Sequence, residues 1–114
     1  MQICVDDPAS QHYSRIVTYA EAGPGAKNEN MGAIDLYKSG IVVDYPTSGT
    51  ARLGSCIFIH IWRGQGHGTV GCVAAPEATV ANLQNWTAEG AAIAILPRAQ
   101  RAASRAAFPE PPGN

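Results

Sequence analysis

The sequence predicts a mainly β fold with one or two short helices, and three observations carry that expectation. Residues 40–45 and 55–62 are β-branched runs at strand spacing. The apolar run 91–96 ends at Pro97, as a buried strand would. Only the stretch from Pro76 to about Trp86 repeats apolar side chains at helical spacing, through Val80, Leu83 and Trp86.

Composition bounds the rest. A chain of 114 residues is one domain's worth. The hydrophobic fraction of 46% contains 19 alanines, and only 22 residues are Leu, Ile, Val or Phe. That sits near the level at which disorder becomes a question, but disorder also needs high net charge, and the formal charge is −1. The expectation is a folded domain on a thin core. With pI near 6.2 there is no basic stripe for a phosphate backbone, so nucleic acid is not expected as a partner. No run approaches the roughly 20 apolar residues of a membrane span. Residues 1–7 have neither a basic nor a long apolar stretch and do not read as a signal peptide.

In chain order, residues 6–10 are turn chemistry and 13–19 a strand or ordered loop. Residues 21–32, rich in Gly, Ala and Asn and without periodicity, read as a surface loop. Leu36, Tyr37 and residues 40–45 read as a strand closed by Pro46 and Gly49. In 55–62 both alternating faces are apolar, which places that strand mid-sheet with His60 at least partly buried. Residues 63–72 hold four glycines, and 72–74 continue extended. Pro76 and Glu77 then open the helix. Residues 1–97 form the expected domain; 98–107 are an Ala/Arg helical segment and 108–114 a disordered Pro-rich tail.

The glycine loop is not a phosphate cradle, since it has no lysine and opens no helix. Cys4, Cys56 and Cys72 lack CxxC spacing, and with His12, His60 and His67 they do not make a zinc site. Cys4 and Cys56 are either a disulfide or two small buried thiols. The chemistry then falls to His60 and Cys72. A neutral thiol becomes nucleophilic when a nearby imidazole takes its proton. His67 is a second candidate base, but between Gly66 and Gly68 it is poorly held beside a strand histidine. The plain alternative makes His60 a core histidine bonded to a backbone carbonyl and Cys72 a structural thiol.

The segment Ser55-Cys56-Ile57-Phe58-Ile59-His60-Ile61-Trp62, the glycine loop, and Thr69-Val70-Gly71-Cys72-Val73-Ala74 resemble the active-site region of the YkuD-type L,D-transpeptidase family. In that family a strand histidine is followed by a loop and a Ser/Thr-x-Gly-Cys segment. The flanks 4–8, 12–13, 35–37 and 42–45 resemble a bacterial, secreted branch of it, and the similarity runs from about Cys4 to about Pro97. The resemblance implies a YkuD-like β-sandwich or open barrel lacking some N-terminal strands, a periplasmic or cell-wall location, and peptidoglycan stem peptides as partners. It implies Cys72 as nucleophile, His60 as base, Gly71 and Cys72 amides as oxyanion donors, and Thr69 shaping the turn, with no cofactor or metal. Two positions depart from the pattern. Val70 stands where many members have a second histidine, and Ile61 follows the base where Gly or Ser is frequent, which puts the contact orienting the imidazole in doubt. The other reading of the resemblance is a truncated or inactive relative that serves only as a peptidoglycan-binding or structural β domain.

Overall fold

A computed structural model describes residues 1–47 and 53–105. Its strands are β1 (Gln2–Val5), β2 (Ile16–Thr18), β3 (Asn28–Asn30), β4 (Gly40–Val42), β5 (Phe58–Ile61) and β6 (Val73–Ala75). They form two three-stranded sheets, ordered β2-β1-β3 and β4-β5-β6. The helices are α1 (Tyr19–Ala22), α2 (Glu77–Trp86) and α3 (Arg101–Ser104), with 3₁₀ turns at Met31–Ala33, Asp35–Tyr37 and Arg98–Gln100. Strands are prominent, broadly as expected, beside three short helices, and no closed barrel forms among the described residues.

Each sheet is organised around one buried central strand. In the first, Ile3, Cys4 and Val5 of β1 are fully buried, and both neighbours run antiparallel. In the second, all four residues of β5 are buried, which is what apolar residues on both faces demand. β4 joins β5 antiparallel, whereas β6 joins it parallel, in the register Ile59↔Val73, His60↔Ala74, Ile61↔Ala75. A parallel neighbour needs a crossover, and the glycine loop supplies it. Gly66, at φ 84°, takes the left-handed conformation that such a reversal requires.

α2 packs against β4 and β5 with Val80 fully buried, while Trp86 at the end of the expected apolar side is 44% exposed. Gln84 fastens the helix to the sheet, donating from Nε2 to the Gly40 carbonyl at 2.8 Å and accepting from Ser39 Oγ at 2.7 Å. Gly40 has no room for a side chain, because a Cβ there would stand 2.8 Å from the Ile59 carbonyl oxygen. α1 opens with a capping box: Thr18 Oγ1 accepts from the Glu21 N–H, and Glu21 Oε2 accepts from the Thr18 N–H.

One covalent bond joins the sheets. Cys4, in the middle of β1, is disulfide-bonded to Cys56, with Cα atoms 6.0 Å apart. Cys56 sits at φ 55°, an uncommon left-handed conformation for a residue with a Cβ, and its N–H donates to Ser14 Oγ at 3.3 Å. This kink ends the extended chain early, so β5 begins at Phe58 and not at Ser55.

Three other sequence expectations are corrected. The 21–32 loop contains β3 and the end of α1, because Asn28, Glu29 and Asn30 pair with the free edge of β1 despite weak strand propensity. The 36–45 strand is shorter, since Asp35–Tyr37 is a 3₁₀ turn and β4 spans Gly40–Val42, with the Val43 N–H adding a bond to the Ile57 carbonyl. Residues 91–96 are not a buried strand: they pair with nothing described, and Ile93, Ile95 and Leu96 are 40%, 63% and 45% exposed. Half of that run is alanine, which carries little apolar area, so its length overstates its drive to bury. Arg98–Gln100 and α3 fall in the expected helical segment; Gly49 and the tail lie outside the described residues.

Candidate active site

A cleft of about 910 Å³ lies where the two sheets meet, lined by His60 and Cys72 together with Glu29, Tyr37, Arg63 and His67. Sheet register brings the first two together. Ala74 is paired with His60 across parallel strands, so alternation places Cys72, two residues before Ala74, on the same face as His60. A strand spacing of about 4.8 Å and two residues of rise put their Cα atoms about 8 Å apart. An imidazole and a thiol on those positions can meet across that gap.

His60 is 6% exposed, and its orientation comes from the backbone. Its Nδ1 lies 2.7 Å from the Ile61 carbonyl oxygen. A carbonyl only accepts, so Nδ1 carries the proton and a neutral ring keeps its lone pair on Nε2. The Tyr37 ring braces the imidazole edge-on at 5.1 Å and 87°, and braces Phe58 in the same way at 5.5 Å and 72°. The doubt raised by Ile61 thus has a structural answer, because the orienting contact is that residue's carbonyl and does not depend on its side chain.

Cys72 is half-buried and is the free thiol among the described residues. At rest it donates to the Cys56 carbonyl at 3.6 Å, not to the imidazole. Burial pushes its pKa up, and the Glu29 carboxylate adds to the rise; hydrogen bonds from the Phe58 N–H and the Tyr37 hydroxyl work the other way. Cys72 is therefore held as a thiol at rest.

The turn before Cys72 is closed by Thr69, whose hydroxyl donates to the Cys72 carbonyl. Gly71 lies against Ile57, whose Cδ1 would be 3.4 Å from an added Cβ. Val70 is fully exposed. His67 and Arg63 are exposed lining residues on the loop, and the His67 N–H donates to the Gly64 carbonyl at 3.3 Å.

Glu29 and Tyr37 complete the site and were not among the residues singled out in the sequence. The Tyr37 hydroxyl donates to Glu29 Oε1 at 2.5 Å and lies within hydrogen-bonding reach of Cys72. Burial first, and the Glu29 contact second, drive the Tyr37 pKa well above the ordinary phenol range. The available signal was the place of Tyr37 in the 35–37 flank that resembles the family, which gives it no role and does not point to Glu29 eight residues away.

Both shifts have a consequence for stability. A group whose folded pKa is raised stabilises the fold fully below its unfolded pKa and loses that contribution as pH climbs through the folded value. The Cys72 contribution should start to fade above about pH 8.5 and that of Tyr37 above about pH 10. Melting temperatures recorded from pH 7 to 11 should fall along this course, with the first part of the fall absent in Cys72→Ser and the second in Tyr37→Phe. A melting temperature that rises with pH across this range contradicts the assignment.

No family model, no curated protein and no solved structure matches the chain. No described helix is long and apolar enough to cross a membrane. Among the described residues no group of three or more His, Cys, Asp or Glu side chains is placed to hold a metal ion.

Proposed function

We propose that the protein is a cysteine acyltransferase of the L,D-transpeptidase type, acting on peptidoglycan stem peptides. The observation that supports this most is the convergence of His60, with Nε2 left as its free base, and Cys72 on one face of the β5–β6 pair inside a single cleft. The resemblance of residues 55–62 and 69–74 to the family's active-site segments supplies the substrate class.

In the proposed cycle the Cys72 side chain turns from the Cys56 carbonyl toward the cleft and gives its proton to His60 Nε2. The thiolate attacks the carbonyl between the L-centre of diaminopimelate and the terminal D-alanine of a tetrapeptide stem. The Gly71 and Cys72 N–H groups face the developing oxyanion, where each such donor typically lowers the barrier by about 3 kcal/mol. The imidazolium protonates the departing D-alanine amine, leaving a thioester on Cys72. An amine from a second stem attacks the thioester, His60 again carries the proton, and a 3→3 cross-link forms; water in place of the amine gives carboxypeptidase action. The disulfide supports an oxidising compartment, in keeping with periplasm or cell wall.

Carbapenem acylation followed by intact-protein mass tests this reading, because the β-lactam ring is opened by an activated thiol. The expected result is one covalent adduct on the wild-type chain that is absent in Cys72→Ala. A folded wild-type chain with no adduct overturns the enzyme reading and favours a domain that only binds peptidoglycan or serves as structure.

A further inference from the structure

We infer that Glu29 is a subsite for a primary ammonium group of the substrate, and that filling it frees the Tyr37 hydroxyl to turn from Glu29 to Cys72. This inference rests on the acyl-transfer reading above and adds a control on its nucleophile.

Register places the carboxylate. Glu29 of β3 is paired with Cys4 of β1, so the two side chains share a face, and Cys4 faces the second sheet through its bond to Cys56. Glu29 therefore projects from one sheet into the cleft whose reactive residues stand on the other. Its partner there is a neutral hydroxyl: Tyr37 donates to Oε1 at 2.5 Å, and no cation pairs with Glu29 among the described residues, where Lys38 pairs instead with Glu77. A carboxylate with about four acceptor positions thus has one side-chain partner among the described residues and lines the cleft.

The remaining charged or titratable groups of the cleft do not fill that role. Asp6 accepts from Ser55, Tyr13 carries no cation, and His60 is tied to the Ile61 carbonyl. Arg63 and His67 stand on the exposed loop with no ion pair to Glu29. An incoming ammonium is the group that satisfies the carboxylate's charge and its unused acceptors together.

The coupling to Cys72 follows from proton count. Tyr37 has one hydroxyl hydrogen, and the 2.5 Å bond to Glu29 competes for it at rest, so the hydroxyl gives the sulfur less than its full support. The same carboxylate opposes a second negative charge nearby. Ammonium binding cancels the repulsion and competes for the Glu29 oxygen, so the hydroxyl can turn to the sulfur. Substrate would then raise the thiolate population at the moment it is needed. The acceptor amine and the amino group of the donor stem share this chemistry.

Iodoacetamide alkylation of Cys72, followed by intact mass across pH 6 to 10, reads the thiol directly. Glu29→Gln keeps the side-chain size, and its alkylation midpoint is expected about one pH unit below wild type, within the usual spread of perturbed groups. Lower intrinsic nucleophilicity offsets part of that gain, leaving about a threefold faster reaction at pH 7. Propylammonium chloride, against sodium chloride at equal ionic strength, should lower the wild-type midpoint and leave Glu29→Gln unmoved. Tyr37→Phe should lose most of the propylammonium response. A midpoint unchanged in Glu29→Gln, or an equal propylammonium response in wild type and Glu29→Gln, overturns the subsite; a full response in Tyr37→Phe overturns the hydroxyl's part. Alkylation requires no acyl transfer, so a shifted midpoint without a carbapenem adduct rejects the enzyme reading alone. An adduct with an unshifted midpoint rejects the Glu29 subsite alone.

Discussion

Replacing His60 by alanine is expected to slow carbapenem acylation of Cys72 by about 10²- to 10⁴-fold at pH 7, the usual contribution of a positioned general base. The effect belongs at the upper end of that range because burial and Glu29 both hold the thiol protonated, so little thiolate forms without help. His60 is also buried and braced by Tyr37, and alanine would leave a gap there. His60→Gln separates the two effects, since it fills most of the space without supplying a base of comparable strength. Both variants should lose rate at pH 7 and approach wild type as alkali ionises the thiol directly. Acylation at the wild-type rate in folded His60→Gln removes His60 from the role of base.

The second large effect is expected at the disulfide. Cys4 and Cys56 are separated by 52 residues, and closing a loop of that length restricts the unfolded chain by about 4 kcal/mol in the chain-entropy model. Against a typical total of about 5–15 kcal/mol, that is a large share for any small domain. It is larger here because the described core is thin: beside the cystine, the buried apolar side chains are Ile3, Val5, Phe58, Ile59, Ile61 and Val80. The double variant Cys4→Ser, Cys56→Ser should melt about 16–32 °C lower, taking about 4–8 °C per kcal/mol for a domain near this size. Because the same bond holds Glu29's sheet against that of His60 and Cys72, adding Glu29→Gln to this double variant should no longer shift the alkylation midpoint. Thermal melts by circular dichroism check the first outcome; a melting temperature within a few degrees of wild type would mean that side-chain packing alone joins the sheets.

Legibility followed the range of the forces involved. β5 could be read because Phe58, Ile59 and Ile61 give it two apolar faces, and α2 because Val80 and Leu83 recur at helical spacing after Pro76 and Glu77. β1 went unread: Gln2–Val5 is four residues long, and its position as a central strand comes wholly from the partners on its two edges. β3 was hidden further, since Asn and Glu signal loop locally and only the edge of β1 makes them a strand. The run 91–96 shows the opposite failure, an apolar pattern with no partner strand among the described residues.

The candidate site divides along the same line. That His60 and Cys72 are the candidates for nucleophilic chemistry is read from side-chain type and from a glycine-rich crossover between two extended segments, all of it local in the chain. What local pattern does not contain is the direction of the imidazole, set by the Ile61 carbonyl, and the resting partner of the thiol, the Cys56 carbonyl. Nor does it contain the meeting of Glu29 with Tyr37 beside Cys72, which needs β3 paired to β1 and β1 bonded through Cys4 to the second sheet. Side-chain chemistry is carried by each residue wherever it stands. Proximity between residues far apart in sequence exists only once register and the cross-sheet disulfide bring two separate sheets to one cleft.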